Sequence, residues 1–159
     1  MDRYSRCQTV YGQPCSSGLE GLKLKPERIK PKAKAVEKVA GLRVLVVEDD
    51  TMIGMLLGWM LEEMGHKVCS IEATEADAVT AAAQYQPDLL IVDAWLGDGS
   101  GVIAVDEILR HGFIPHLFIS GNIARVKALR PDAAMLEKPF GEAALARAIN
   151  HALEAGTSA

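Results

Sequence analysis

The 159-residue chain has no run of eighteen or more uninterrupted apolar residues, so the sequence offers no membrane span. The first thirty residues carry basic groups with no apolar stretch behind them, which argues against a secretory leader. Cysteine is scarce: Cys7, Cys15 and Cys69 are odd in number and form no C-x-x-C pair. That argues against a disulfide framework or a thiolate zinc site and fits reduced thiols in a cytoplasm. The four histidines, His66, His111, His116 and His151, are scattered and match no metal-ligand spacing. There is no G-x-x-x-x-G-K-[ST] loop, which argues against a P-loop nucleotide site.

What is present suits one globular domain plus an extension. Apolar residues make up 49% and charged residues 24%. The net charge of −4 hides an asymmetry: residues 1–40 carry a net +5 and residues 41–159 a net −9. From Lys23 to Lys38 the chain reads K-L-K-P-E-R-I-K-P-K-A-K-A-V-E-K, and Pro26 and Pro31 break any long helix there. The expectation is a flexible, disordered basic N-terminal extension over 1–40 followed by a folded domain over 41–159. A docking arm for an acidic partner or a nucleic acid is the sharper alternative, as is folding back onto the acidic domain. The basic part lacks aromatic residues, which weakens a case for base stacking.

From Leu42 onward the pattern alternates. Val44-Leu45-Val46-Val47 is a short β-branched run of the kind buried on both faces of a sheet. Met52, Ile53, Leu56, Leu57, Met60, Leu61 and Met64 follow at helical spacing, and Gly65 supplies a C-terminal stop. Strands are predicted at 67–71, 88–92, 115–119 and 133–136. Helices are predicted after Thr74 to about Tyr85, at 101–111 with Val102, Val105, Ile108 and Leu109 inward, and at 141–154 with Leu145, Ile149 and Leu153 inward. Asp77 stands where a capping box would put Glu. This alternation implies an α/β fold, a doubly wound five-stranded parallel sheet of flavodoxin-like order 2-1-3-4-5. In such sheets chemistry gathers at the carboxyl ends of the strands.

Those ends carry Glu48-Asp49-Asp50, Asp93, Ser120-Gly121 and Glu137-Lys138-Pro139-Phe140. Strands one, three, four and five are neighbours in the proposed order, so their ends converge. Taken singly, each element is commonplace; a strand-end Asp is often a helix cap, the role expected of Asp50. Together, Glu48, Asp49 and Asp93 form a carboxylate cluster that needs a cation, and oxygen ligands suit Mg²⁺. Lys138 and Ser120 add a charge and a hydroxyl for phosphoryl oxygens.

Over residues 42 to about 155 the chain resembles the response-regulator receiver domain of two-component signalling. V-L-V-V-E-D-D resembles the family's first strand and acid pair, Glu48 and Asp49. L-L-I-V-D-A-W-L resembles the phosphoacceptor strand, which implies that Asp93 is the phosphoacceptor. The resemblance implies a backbone-carbonyl metal ligand at Trp95, a switch hydroxyl at Ser120 from F-I-S-G, a phosphate-binding Lys138 from E-K-P-F, and a cis bond before Pro139. P-H-L-F-I-S-G-N resembles an alphaproteobacterial subgroup with a reduced fourth helix, although Asn122 stands in place of its Tyr. Two departures stand out. Gly97 sits where proline is common, and Met135 occupies the switch position that often carries an aromatic ring.

The resemblance implies a stand-alone, cytoplasmic response regulator rather than a conventional enzyme. It would catalyse its own phosphorylation and dephosphorylation with Mg²⁺ as cofactor. A histidine kinase or histidine phosphotransfer protein would be the donor and a downstream protein the target. No DNA-binding output domain and no membrane contact are expected. Met55 and Trp59, beside the apolar stripe of the first helix with Gly54 and Gly58, are candidates for kinase docking. Two alternatives differ in kind. A non-phosphorylated pseudo-receiver usually lacks part of the acid pair or the lysine, and all are present here. A haloacid-dehalogenase-like phosphatase needs a second Asp two residues after the nucleophile, where this chain has Trp95.

Overall fold

The computed structural model describes residues 41–156; the expected basic extension over 1–40, with Cys7 and Cys15, lies outside the described residues. Five strands alternate with five helices in chain order: β1 (Arg43–Val47), α1 (Thr51–Glu63), β2 (Lys67–Glu72), α2 (Glu75–Tyr85), β3 (Leu89–Asp93), α3 (Gly101–Leu109), β4 (His116–Ser120), α4 (Ile123–Leu129), β5 (Ala134–Glu137) and α5 (Glu142–Gly156). All neighbouring pairs are parallel, and the sheet order is β2-β1-β3-β4-β5. This is the doubly wound order that the alternation of strands and helices predicts.

Strand residues point alternately to the two faces, and each face has its own core. Leu45, Val47, Leu90, Val92 and Phe118 pack with α2, α3 and Val126 of α4. Val44, Val46, Leu89, Ile91, Leu117 and Ile119 pack with α1 and α5. The central strands are therefore apolar without alternation, as a sheet covered on both sides requires. Each fully buried Val, Ile or Leu contributes about 1.5–3 kcal/mol.

The inward face of α1 differs from its apolar spacing. Met52 and Leu56 are exposed, while Gly54 and Gly58 are buried with Leu57, Met60 and Leu61. The cause is the approach to β2: a Cβ on Gly54 would stand 3.0 Å from Cγ2 of Ile71, and one on Gly58 3.4 Å from its Cδ1. The two glycines let the helix lie against β2 and turn Met52, Met55, Leu56 and Trp59 outward.

The helix ends follow from local chemistry. Asp50 caps α1 by accepting from the Met52 and Ile53 amides at 2.9 and 3.1 Å. At the other end Gly65 takes a φ of 86°, and the amides of Gly65 and His66 bond back to Glu62 and Leu61, a Schellman stop. Thr74 caps α2 at the Asp77 amide, and the Asp77 carboxylate accepts a hydrogen bond from the Thr74 hydroxyl at 2.7 Å. The α4 segment is short, as expected, at seven residues from Ile123 to Leu129, and Arg130-Pro131 follows it.

Candidate functional site

The pocket is built from strand ends in adjacent positions. Parallel register runs Val47 beside Val92, Asp93 beside Ile119 and Ser120 beside Glu137. Glu48 therefore leaves β1, Asp93 and Ser120 close β3 and β4, and Lys138 leaves β5 on one rim of the sheet. Glu48 is buried at 3% exposure and Ser120 at 1%, while Asp49 is exposed.

Oxygen atoms of Glu48, Asp49 and Asp93 lie within 4.8 Å of one another. Three carboxylates at that spacing repel unless positive charge intervenes. Lys138 supplies some of it. Its Nζ donates to Glu48 Oε2 at 2.8 Å and to Asp93 Oδ2 at 2.6 Å. Burial works against the charged ammonium, but these hydrogen bonds and charges outweigh it and hold the Lys138 pKa above its ordinary value. Burial pushes the Glu48 carboxyl up, helped by the Asp93 charge and only partly offset by Lys138. Glu48 thus retains unmet demand for positive charge. The donor set, three carboxylates and no sulfur or imidazole, fits a hard divalent cation.

The acceptor loop is fixed by several bonds. The Trp95 amide donates to Asp93 Oδ1 at 2.9 Å. The Ala94 amide bonds to Ile119 at 3.0 Å, and the Lys138 amide to the Ser120 carbonyl at 2.9 Å. Gly97, just before the D-G-S-G stretch of Asp98 to Gly101, takes a φ of 43°, and a Cβ there would stand 3.4 Å from Asp49 Oδ2. The Lys138–Pro139 peptide is cis. Met135, at the switch position, is half-buried and packs against the core formed by α2, α3 and α4. Met55 and Trp59 take no part in these bonds; they stand 67% and 62% exposed on α1.

Four positions with a part in this arrangement escaped the sequence reading. A Cβ on Gly101 would overlap the Asp93 carbonyl oxygen and lie 2.5 Å from Cγ1 of Val92, so the start of α3 reaches the acceptor only as glycine. The Glu75 carboxylate accepts from the Ser100 amide and ties α2 to the same loop. Asn122 donates its amide to Ser120 Oγ at 3.1 Å and caps α4 at Arg125. Arg125 lies over the Trp95 ring at 3.8 Å. Of these, only Asn122 had a local signal, an N-cap residue ahead of a short helix.

Fold and acid pocket together are those of a signalling receiver. The chain belongs to the family described as the response regulator receiver domain, which matches residues 44–150. It is similar to the phyllosphere-induced regulator PhyR of Methylorubrum extorquens, 35% identical over 69% of this chain and 43% of that protein. The receiver domain of Erythrobacter litoralis PhyR shares 32% identity and a TM-score of 0.66, covering 72% of this chain and 92% of that one. The anti-anti-sigma factor PhyR of Bartonella quintana shares 31% identity and a TM-score of 0.69, covering 77% of this chain and 51% of that one. The likeness to the alphaproteobacterial subgroup is thus shown by sequence and by structure. The chain spans about half the length of the curated relatives it matches. Among the described residues no helix is long and apolar enough to cross a membrane.

Proposed function

We propose that this protein is a response-regulator receiver that accepts a phosphoryl group on Asp93 from a phosphohistidine and signals by protein contact. One observation carries the reading: Lys138 bridges Glu48 and Asp93 inside a three-carboxylate cluster whose donors suit a divalent cation. A Mg²⁺ held by Glu48, Asp49, Asp93 and the Trp95 carbonyl would supply positive charge against the phosphoryl oxygens. A carboxylate oxygen of Asp93 attacks phosphorus in line; the P–N bond breaks and its electron pair leaves with the imidazole. Lys138 Nζ exchanges a carboxylate partner for a phosphoryl oxygen, and the Ser120 hydroxyl donates to another. In this reading residues 41–159 form the receiver and residues 1–40 a basic extension.

The donor in this reading is a histidine kinase or a histidine phosphotransfer protein, docked on the exposed Met55 and Trp59 of α1. The name anti-anti-sigma factor belongs to relatives about twice the length of the matched region, and the 92% coverage of an isolated receiver domain favours carrying over the receiver role alone. A pseudo-receiver is disfavoured because the acid pair, Asp93 and Lys138 are all present, with Lys138 bonded to Glu48 and Asp93 and the three carboxylates within 4.8 Å of one another. Incubation with acetyl phosphate and Mg²⁺ should add one acid-stable, hydroxylamine-labile phosphate per chain. Equal labelling of an Asp93→Asn variant would sink the proposal.

A further inference from the structure

The groups around Asp93 close into a ring that passes through α4. The Trp95 amide holds Asp93 Oδ1 at 2.9 Å, and the Arg125 guanidinium lies 3.8 Å over the Trp95 indole. The Arg125 amide is capped by Asn122 Oδ1 at 3.2 Å, and the Asn122 amide donates to Ser120 Oγ at 3.1 Å. The Lys138 amide returns from the Ser120 carbonyl, and Lys138 Nζ reaches Asp93 Oδ2 at 2.6 Å. Of these links, the stack of Arg125 on Trp95 alone joins two side chains across separate elements without a hydrogen bond. It is also the most exposed cation of the ring, since Arg125 is exposed and Lys138 is half-buried.

We propose that Arg125 is a positioning residue: its stack on Trp95 holds α4 against the acceptor loop, and phosphorylation of Asp93 releases it. This rests on Asp93 being the phosphoacceptor. The physical reason lies at both ends of the ring. Acyl-phosphate formation turns one Asp93 oxygen into a bridging atom and weakens it as an acceptor for its hydrogen-bond donors. The same event places a dianion beside Ser120, and a hydroxyl drawn to it carries the Asn122 amide, and with it the cap that sets Arg125. A cation–π contact at an exposed site is weak beside a charge-assisted hydrogen bond to phosphate. The stack is therefore the link that gives way. Met135, packed into the core, offers no rotating ring to carry the signal, and the Arg125–Trp95 pair gives α4 a connection of its own.

The chain has two tryptophans, so Trp59→Phe leaves Trp95 as the single tryptophan. In that background, acetyl phosphate with Mg²⁺ should shift the Trp95 emission to longer wavelength as the ring is bared. Adding Arg125→Ala should produce the same shift before any donor is added and abolish the further response. Arg125→Lys, which keeps a cation over the ring, should restore part of the response. Phosphate incorporation is measured on each variant. Equal incorporation with an equal emission response, whether or not Arg125 is present, overturns the proposal alone. No incorporation in the unaltered protein overturns it together with the phosphoacceptor reading.

Discussion

Gly101 stands so close to Asp93 that a methyl group on its Cα would overlap the Asp93 carbonyl oxygen. The first residue of α3 is thereby packed directly on the backbone of the residue at the centre of the pocket. Its amide, in turn, donates to the Ala94 carbonyl at 3.2 Å. Gly101→Ala should destabilise the fold by about 3 kcal/mol, near the top of the range for overpacking. Any folded fraction should take phosphate from acetyl phosphate more slowly, because the displaced atoms belong to the acceptor. Urea denaturation and the initial labelling rate together check this; an unchanged midpoint contradicts the packing argument.

Lys138→Ala removes the bridge between Glu48 and Asp93 and leaves three close carboxylates without it. In the absence of a divalent cation the variant should lose about 3 kcal/mol, the lower end for breaking a buried pair. The freed carboxylates should also bind a cation more readily. Magnesium should therefore raise the melting temperature of Lys138→Ala by more than it raises that of the unaltered protein. Equal shifts, read by differential scanning fluorimetry across a Mg²⁺ titration, would remove the link between the lysine and the metal site.

Met55 and Trp59 are exposed apolar side chains on a helix whose buried side contains two glycines. If they dock a donor, Trp59→Ala should slow phosphotransfer from a phosphorylated kinase by at least tenfold, about 1.4 kcal/mol of transition-state binding. Labelling by acetyl phosphate should be unaffected. Kinase transfer at the original rate would show that the surface serves something else.

His116, at the start of β4, is half-buried with its ring edge-on to Phe118 at 5.5 Å. Burial holds its pKa below the ordinary 6.5, against a hydrogen bond to the Ile114 carbonyl that acts the other way. The unfolded chain then binds the proton more readily than the folded one. Stability from this group is intact above pH 6.5 and falls as the pH drops below it, until the folded pKa is reached. Comparing urea midpoints at pH 7.5 and 5.5, His116→Asn should show a smaller acid loss than the unaltered protein. An equal loss in both would assign the effect to other groups.

Much of the fold was legible because burial on both faces leaves a plain mark. Strands such as Val44–Val47 and Leu89–Val92 are continuous apolar runs, and helices at apolar spacing alternate with the strands along the chain. The orientation of α1 was not legible: Met52 and Leu56 match the apolar spacing, and only the proximity of Ile71 in another element turns the glycines inward. At the pocket, Glu48, Asp49, Asp93, Ser120 and Lys138 could be named because strand order alone brings their positions together. Gly101, Glu75 and Arg125 could not. Their partners lie across loops, and nothing in local spacing reports that an arginine on α4 meets an indole after β3.

The two glycines of α1 have one more effect. Because Gly54 and Gly58 rest against Ile71, the distance from helix to sheet is set by the absence of side chains at those two points. A single methyl at position 54 would act as a shim. It would tilt the outward face that carries Met55 and Trp59, and with it the Asp50 cap at the mouth of the pocket. Partner choice could then change through a residue that no partner touches.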